Sequence, residues 1–199
     1  MDASETPFLK KSRFTQFVVR ENALDKLGFQ EWIFYPGMLF NAMDKWWSNQ
    51  EKRDKPHEGL DLCFYRDCED KMLRLDEKTK IPVLYDGTVV RVMDDFIGKS
   101  VMVEHRPLDS DYPRLCTIYG HTNLSNGLHV GRIVKAGDIV ANLARPNKSQ
   151  RNIPPHLHIS VGWISQNISY ENLYWETMDT LKELRWVDPL GVIRRHFLQ

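Results

Sequence analysis

His57 and Asp61 in HEGLD, His121 in the tripeptide Tyr119-Gly120-His121, and His156 and His158 in PPHLHIS are the residues whose types and spacing suit chemistry. Imidazoles and a carboxylate so spaced are the ingredients of a mononuclear zinc site, in which three protein ligands leave one position open for water. Their neighbours are strand formers, and positions i and i+2, or i and i+4, of a strand project from one face. His156 and His158 therefore point the same way. So do His57 and Asp61 if HEGLDLCFY is extended, and Glu58 then faces the opposite side. Each motif is weak alone: an H-x-H on a strand is often a solvent-facing pair, H-x-x-x-D arises by chance, and a lone His121 reads as a turn histidine. Converging on one sheet surface, they suit chemistry better than packing.

The elements that must position these residues are mostly strands. DLCFY, IPVLYDGTVVRVMD and KSVMVEH carry period-two patterns, with turns at Asp86-Gly87 and Ile97-Gly98. CTIYGH continues the β character, IVKAGDIVANL reads as a hairpin turning at Ala136-Gly137-Asp138, and HLHISVGW reads as a central strand. Short turns, not helical crossovers, join them, which predicts antiparallel pairing. Helices are expected at the ends. Asn22 to Gly28 reads as a short helix with Asn22 as N-cap and Gly28 as its stop. The spacing of Met38, Leu39, Met43, Trp46 and Trp47 predicts a helical segment capping one end of the sheet rather than a glycan-stacking platform. The stretch Leu173 to Leu184 reads as helical. RDCEDKMLRLDEKTK, between Tyr65 and Ile81, reads most simply as a solvated excursion, a hairpin or a helical turn, and it follows Asp61 closely enough that walling one side of a cleft is the alternative. The fold class is mainly β (α+β): an antiparallel sheet or sandwich with a second small sheet and peripheral N- and C-terminal helices. The division expected is an N-terminal extension over 1–55 and a β domain with a helical tail over 56–199.

Composition narrows the functions. At 199 residues the chain can bury a real core. Lysine plus arginine equals aspartate plus glutamate at 27 each, so no global field favours nucleic acid or an anionic membrane. No stretch approaches the roughly 18 apolar residues of a membrane span. MDASETPFLKKSRF places acids before its lysines and has no apolar core, so it does not read as a secretory signal. Cys63, Cys68 and Cys116 are an odd set and do not read as a disulfide framework. Cys63, two residues from Asp61, reads as a buried free cysteine on a strand rather than a thiolate metal ligand, with a Cys63–Cys68 bridge in an oxidising compartment as a further alternative.

HEGLD, YGH, the run Val130 to Ala141 and PPHLHISVGW together, and in this order, resemble the lysostaphin-type (LytM-like) zinc endopeptidases, which hydrolyse peptide bonds in peptidoglycan. The resemblance covers about Pro56 to Trp163. It implies one Zn²⁺ per chain with His57, Asp61 and His158 as ligands, His121 and His156 as catalytic histidines outside the ligand set, and a groove along the large sheet. It also implies a periplasmic or extracellular place of work and a peptidoglycan or peptide substrate. His105, ending VMVEH, matches a position where the family often has a histidine without using it as a ligand. Members often carry a tyrosine shortly before the first ligand. Residues 46 to 56 contain none, so the oxyanion role falls to Tyr119 or a histidine.

Zinc chemistry fits this set: the ion lowers the pKa of bound water and polarises a carbonyl, while histidines with ordinary pKa values near 6.5 move protons. Two rival functions remain open on the same fold, a non-catalytic regulatory or binding module and a zinc hydrolase with a non-wall substrate.

Overall fold

The computed structural model describes residues 9–47, 51–105, 113–147, 150, 152–178 and 180–197. Most of the N-terminal stretch read for a leader therefore lies outside the described residues. Two antiparallel sheets carry the fold. In the large, nine-stranded sheet, β11 (Leu157–Ile164) is an interior strand, one in from the edge, and buried along its whole length. It pairs on one side with β8 (Arg114–Leu124), from His158 opposite Gly120 to Ile164 opposite Arg114. Its other side is shared: β2 (Leu60–Leu62) takes Leu157 to Ile159, and β12 (Leu184–Val187) takes Val161 to Ile164. Beyond β8 the order is β7 (Lys99–His105), β6 (Gly87–Asp94) and β9 (Ile133–Val134). β10 (Ile139–Leu143) pairs with the far end of β8 and with β5 (Lys80–Pro82). The small sheet joins β1 (Phe29–Ile33), β3 (Phe64–Asp67) and β4 (Met72–Arg74).

Alternation along these strands creates two faces. Leu60 and Leu62 of β2, Leu115 and Tyr119 of β8, and Leu157, Ile159, Val161 and Trp163 of β11 enter the main core with Phe14, Val18, Trp32 and Tyr65. Cys116, Ile118 and Ile164 project from the opposite face into a smaller cluster with Met102, Leu173, Met178 and Leu184. Asp61, Gly120, His158 and Ser160 occupy intervening positions and share that second face.

Helices are peripheral. α1 (Phe14–Glu21) buries Phe14, Thr15, Val18 and Val19, a stripe at helical spacing. Its end is pinned by Asn22, whose amide donates to the Val18 and Lys80 carbonyls and whose oxygen accepts from the Lys80 N–H. Asn22 thus closes α1 instead of opening the next helix. A 3₁₀ turn over Leu24–Leu27 follows, and Gly28 stops it in the left-handed region at φ +77°, as its sequence position predicts.

Three other expectations are corrected. Residues 38–47 are not a helix: Asn41 sits at φ +62°, Asp44 bridges to Lys52, and Trp46 is drawn inward to a polar partner. Among the described residues of the stretch Leu173 to Leu184, the α-helix covers only α2 (Trp175–Met178). Thr177 Oγ1 there bonds the carbonyls of Asn172 and Tyr174, competition of the kind that weakens helices, and the chain must straighten into β12 to pair with β11. The run IVKAGDIVANL does turn at Gly137 (φ +96°), but its arms do not pair with each other. β9 joins β6 and β10 joins β5 and β8.

All three cysteines are free. Cys63 and Cys116 are buried, and burial pushes both thiols up to about 12; Cys68 is exposed. No helix among the described residues is long and apolar enough to cross a membrane.

Candidate metal centre

The register His158 opposite Asp61 brings together two residues 97 positions apart. His57 arrives from the irregular segment before β2, where its N–H donates to the Ala42 carbonyl. His57 Nε2, His158 Nδ1 and Asp61 Oδ1 then form a triangle with sides of 3.0, 3.0 and 3.2 Å. All three residues are buried, and they are the group among the described residues whose ligand atoms converge as a cation needs. A tetrahedral zinc with bonds of about 2.0–2.1 Å spans edges of about 3.3–3.4 Å, so the triangle is slightly contracted but matches in scale.

The outward atoms of the three residues are also occupied. His57 Nδ1 lies 3.0 Å from the Leu39 carbonyl, which can only accept, so Nδ1 carries a proton and, in the neutral ring, Nε2 is the atom with the lone pair. His158 Nε2 lies 2.8 Å from Ser160 Oγ. Asp61 Oδ2 accepts 2.7 Å from Trp46 Nε1 and sits 3.5 Å from the Arg53 guanidinium. Partners of this type orient metal ligands. Burial pushes the Asp61 carboxyl up, but the charge on His57 and the hydrogen bond from His158 outweigh it and hold Asp61 well below the ordinary carboxylate range. Burial pushes His57 down, and Asp61 more than offsets that, leaving it raised.

His156 and His121 lie beside the triangle, their rings 4.7 Å apart. His156 is buried, donates Nδ1–H to the Pro154 carbonyl at 2.9 Å, and keeps Nε2 4.0 Å from Asp61 Oδ1. Burial, only partly opposed by Asp61, lowers it to about 4. His121 sits at φ +61°, a conformation that is uncommon outside glycine, with Nδ1 3.1 Å from Asp95 Oδ2.

All five residues read from the sequence therefore meet: His57, Asp61, His121 and His158 line a cleft of about 560 Å³ together with Trp47, Arg53, Glu58, Asp94, Asp95, Phe96, Trp175 and Glu176, and His156 lies buried beside them, outside the lining. Three expectations fail. In HEGLDLCFY the first strand starts only at Leu60, so Glu58 does not turn away: it lines the cleft, 3.7 Å from His158 Nε2. Tyr119 is fully buried on the core face, where its hydroxyl accepts from the Leu84 N–H, and it is no oxyanion group. The charged excursion folds as the β3–β4 hairpin of the small sheet and contributes nothing to the lining. His105 is a core residue bonded to the Asp86 carbonyl and Thr117 Oγ1.

Sequence reasoning missed Trp46, Arg53 and Asp95. Nothing in their local spacing marks them. The tandem Trp46-Trp47 was the one available signal, and its apolar reading concealed the indole N–H that serves Asp61.

Among solved structures, the catalytic domain of a mutant of the prophage-encoded M23 protein EnpA from Enterococcus faecalis is 22% identical, over 61% of this chain and 79% of that one, with a TM-score of 0.41. Lysostaphin is 19% identical over 62% of this chain, which spans 42% of the lysostaphin chain, with a TM-score of 0.39. A chain of the SpoIIQ–SpoIIIAH pore-forming complex is 17% identical over 85% of this chain and 87% of that one, with a TM-score of 0.43. No curated protein matches. The sequence model of Peptidase family M23 matches residues 71–170; His121, His156 and His158 fall within that stretch, and His57 and Asp61 precede it. With half of its length accounted for in this way, the chain belongs to peptidase family M23.

Proposed function

We propose that this chain is a zinc-dependent endopeptidase that hydrolyses peptide bonds of peptidoglycan, in stem peptides or cross-bridges, with one zinc held by His57, Asp61 and His158. The observation that carries the reading is the convergence of His57 Nε2, His158 Nδ1 and Asp61 Oδ1 within 3.0–3.2 Å, each residue's remaining polar atom already engaged elsewhere. Two neutral imidazoles and a carboxylate, open on the cleft side, are the donor set that zinc takes in hydrolytic sites. Bound there, the ion would supply an acidified water and a Lewis acid for the scissile carbonyl.

The remaining steps belong to side chains. His156, neutral at pH 7 because burial holds it near 4, carries its proton on Nδ1 toward the Pro154 carbonyl; Nε2 is left as an acceptor. His121 is the second imidazole beside the reacting position. Between them they take up the proton of the attacking water, return one to the leaving nitrogen, and steady the oxygen of the tetrahedral centre. Trp47, Phe96 and Trp175 form apolar cleft walls against which a peptide can lie.

The test is digestion of purified peptidoglycan with mass analysis of the products, beside metal analysis. About one zinc per chain, cleavage of amide bonds, loss on chelation and recovery with zinc are expected. Full activity without divalent metal overturns the mechanism. Cleavage of other peptides but of no wall fragment overturns the substrate class alone.

A further inference from the structure

His121 does not stand alone. Asp95, in the turn between β6 and β7, reaches beneath β8, and its side chain is only 5% exposed. Its Oδ2 accepts the His121 backbone N–H at 2.8 Å and the Ser100 hydroxyl at 2.6 Å, and faces His121 Nδ1 at 3.1 Å. Ser100 in turn accepts from Trp175 Nε1 at 3.1 Å, so a line of polar contacts runs from a cleft wall to the imidazole.

Two features show that the chain makes room for this carboxylate. A Cβ at Gly120 would lie 3.0 Å from Asp95 Oδ2 and 3.4 Å from Ser100 Oγ, so any side chain there would crowd the carboxylate and the glycine of YGH leaves it room. His121 itself is held at φ +61°, a strained conformation that persists only where surroundings enforce it. The bond from its backbone N–H to Asp95 is such an enforcement. Burial pushes the Asp95 carboxyl up, but the contacts from His121 and Ser100 prevail and hold it below the ordinary range.

We propose that Asp95 is a positioning residue for His121: its carboxylate holds the backbone turn and fixes the ring as the Nδ1–H tautomer. Nε2 is thereby the atom that exchanges protons, while Nδ1 keeps its proton and Asp95 stays ionised throughout. The Nδ1–Oδ2 contact is short but off the N–H direction, since Nδ1 has no hydrogen-bond partner of good geometry; such bonds often align only with substrate bound. The inference rests on the proposed role of His121 in proton transfer.

The test joins kinetics of Asp95→Asn, His121→Ala and the double variant to nitrogen-15 NMR of the His121 ring in the zinc-loaded protein, assigned by its loss in His121→Ala. Asp95→Asn keeps zinc, leaves KM within about threefold and lowers kcat by about 10²-fold or more, as losing an orienting carboxylate does elsewhere. The double variant is no slower than His121→Ala, and the NMR reads a protonated Nδ1 with unprotonated Nε2. An Nε2–H tautomer, a wild-type kcat for Asp95→Asn, or an additive double variant overturns the inference. If His121→Ala itself remains fully active, the reading of the catalytic site fails instead. The NMR readout stands even if Asp95→Asn does not fold.

Discussion

The Trp46 indole donates its N–H to Asp61 Oδ2 over 2.7 Å, while the other oxygen of the same carboxylate faces His57 and His158. A ring that hydropathy assigns to packing thus fixes which Asp61 oxygen is left for a cation. Trp46→Phe keeps an aromatic ring and removes the donor. Zinc affinity is expected to fall about 10–100-fold with the fold retained, the usual cost of a lost outer partner. Competition against a chelator of known affinity measures it, and an unchanged affinity removes Trp46 from the site.

The two histidines of the tripeptide His156-Leu157-His158 should separate cleanly. His158→Ala loses zinc and activity together. His156→Ala keeps zinc and loses turnover by about 10²–10⁴, the range of a positioned acid or base. Metal content and kcat of the two proteins decide it; zinc retained in the first and lost in the second reverses the assignment.

Gly59 explains the glycine of HEGLD. A Cβ there would lie 2.6 Å from the Ile159 carbonyl oxygen and 2.8 Å from the His158 ring, and neither can retreat within a buried strand. Gly59→Ala is expected to cost about 1–3 kcal/mol, as overpacking does, and to weaken zinc binding by displacing His158. Thermal melts with and without zinc test both effects. Equal melting temperatures and zinc content in variant and wild type contradict the packing argument.

Metal and fold should be coupled. A ligand that binds only the folded state stabilises it, so chelation lowers the melting temperature. A protein that binds zinc tightly yet melts identically without it would contradict a site shared between β2 and β11.

Acid should destabilise the fold through His105. Burial, outweighing its contact with the Asp86 carbonyl, lowers this imidazole to about 4 from an ordinary 6.5. Between those values the unfolded chain binds the extra proton, so stability rises with pH through the window. It is complete above about 6.5 and lost toward 4, by up to ~3 kcal/mol. Urea titrations of metal-free wild type and His105→Gln isolate the residue, because other groups cancel in the difference. Parallel stability-against-pH curves would show that His105 does not titrate in this way.

Local spacing is decided by the backbone, and that is why much of this site was legible. A strand sends alternate residues to one face, so the alternation in HLHISVGW separated His158 and Ser160 from the core positions Leu157, Ile159, Val161 and Trp163 before any pairing was known, whereas His156 lies just before that strand. The antiparallel class followed from short turns, and the order of HEGLD, YGH and HLH carried the family. What remained depended on which distant segments meet. Whether HEGLD stays extended through His57, and hence where Glu58 points, was set by how the segment from Leu39 to Ala42 holds His57. Tyr119 was lost to the core because His158 pairs with Gly120 and leaves Tyr119 on the opposite face. Trp46 and Asp95 gained their roles from approaches across 15 and 26 residues. No periodicity encodes such approaches, because burial of the common core decides which segments are brought together and the polar contacts form within the space that packing leaves.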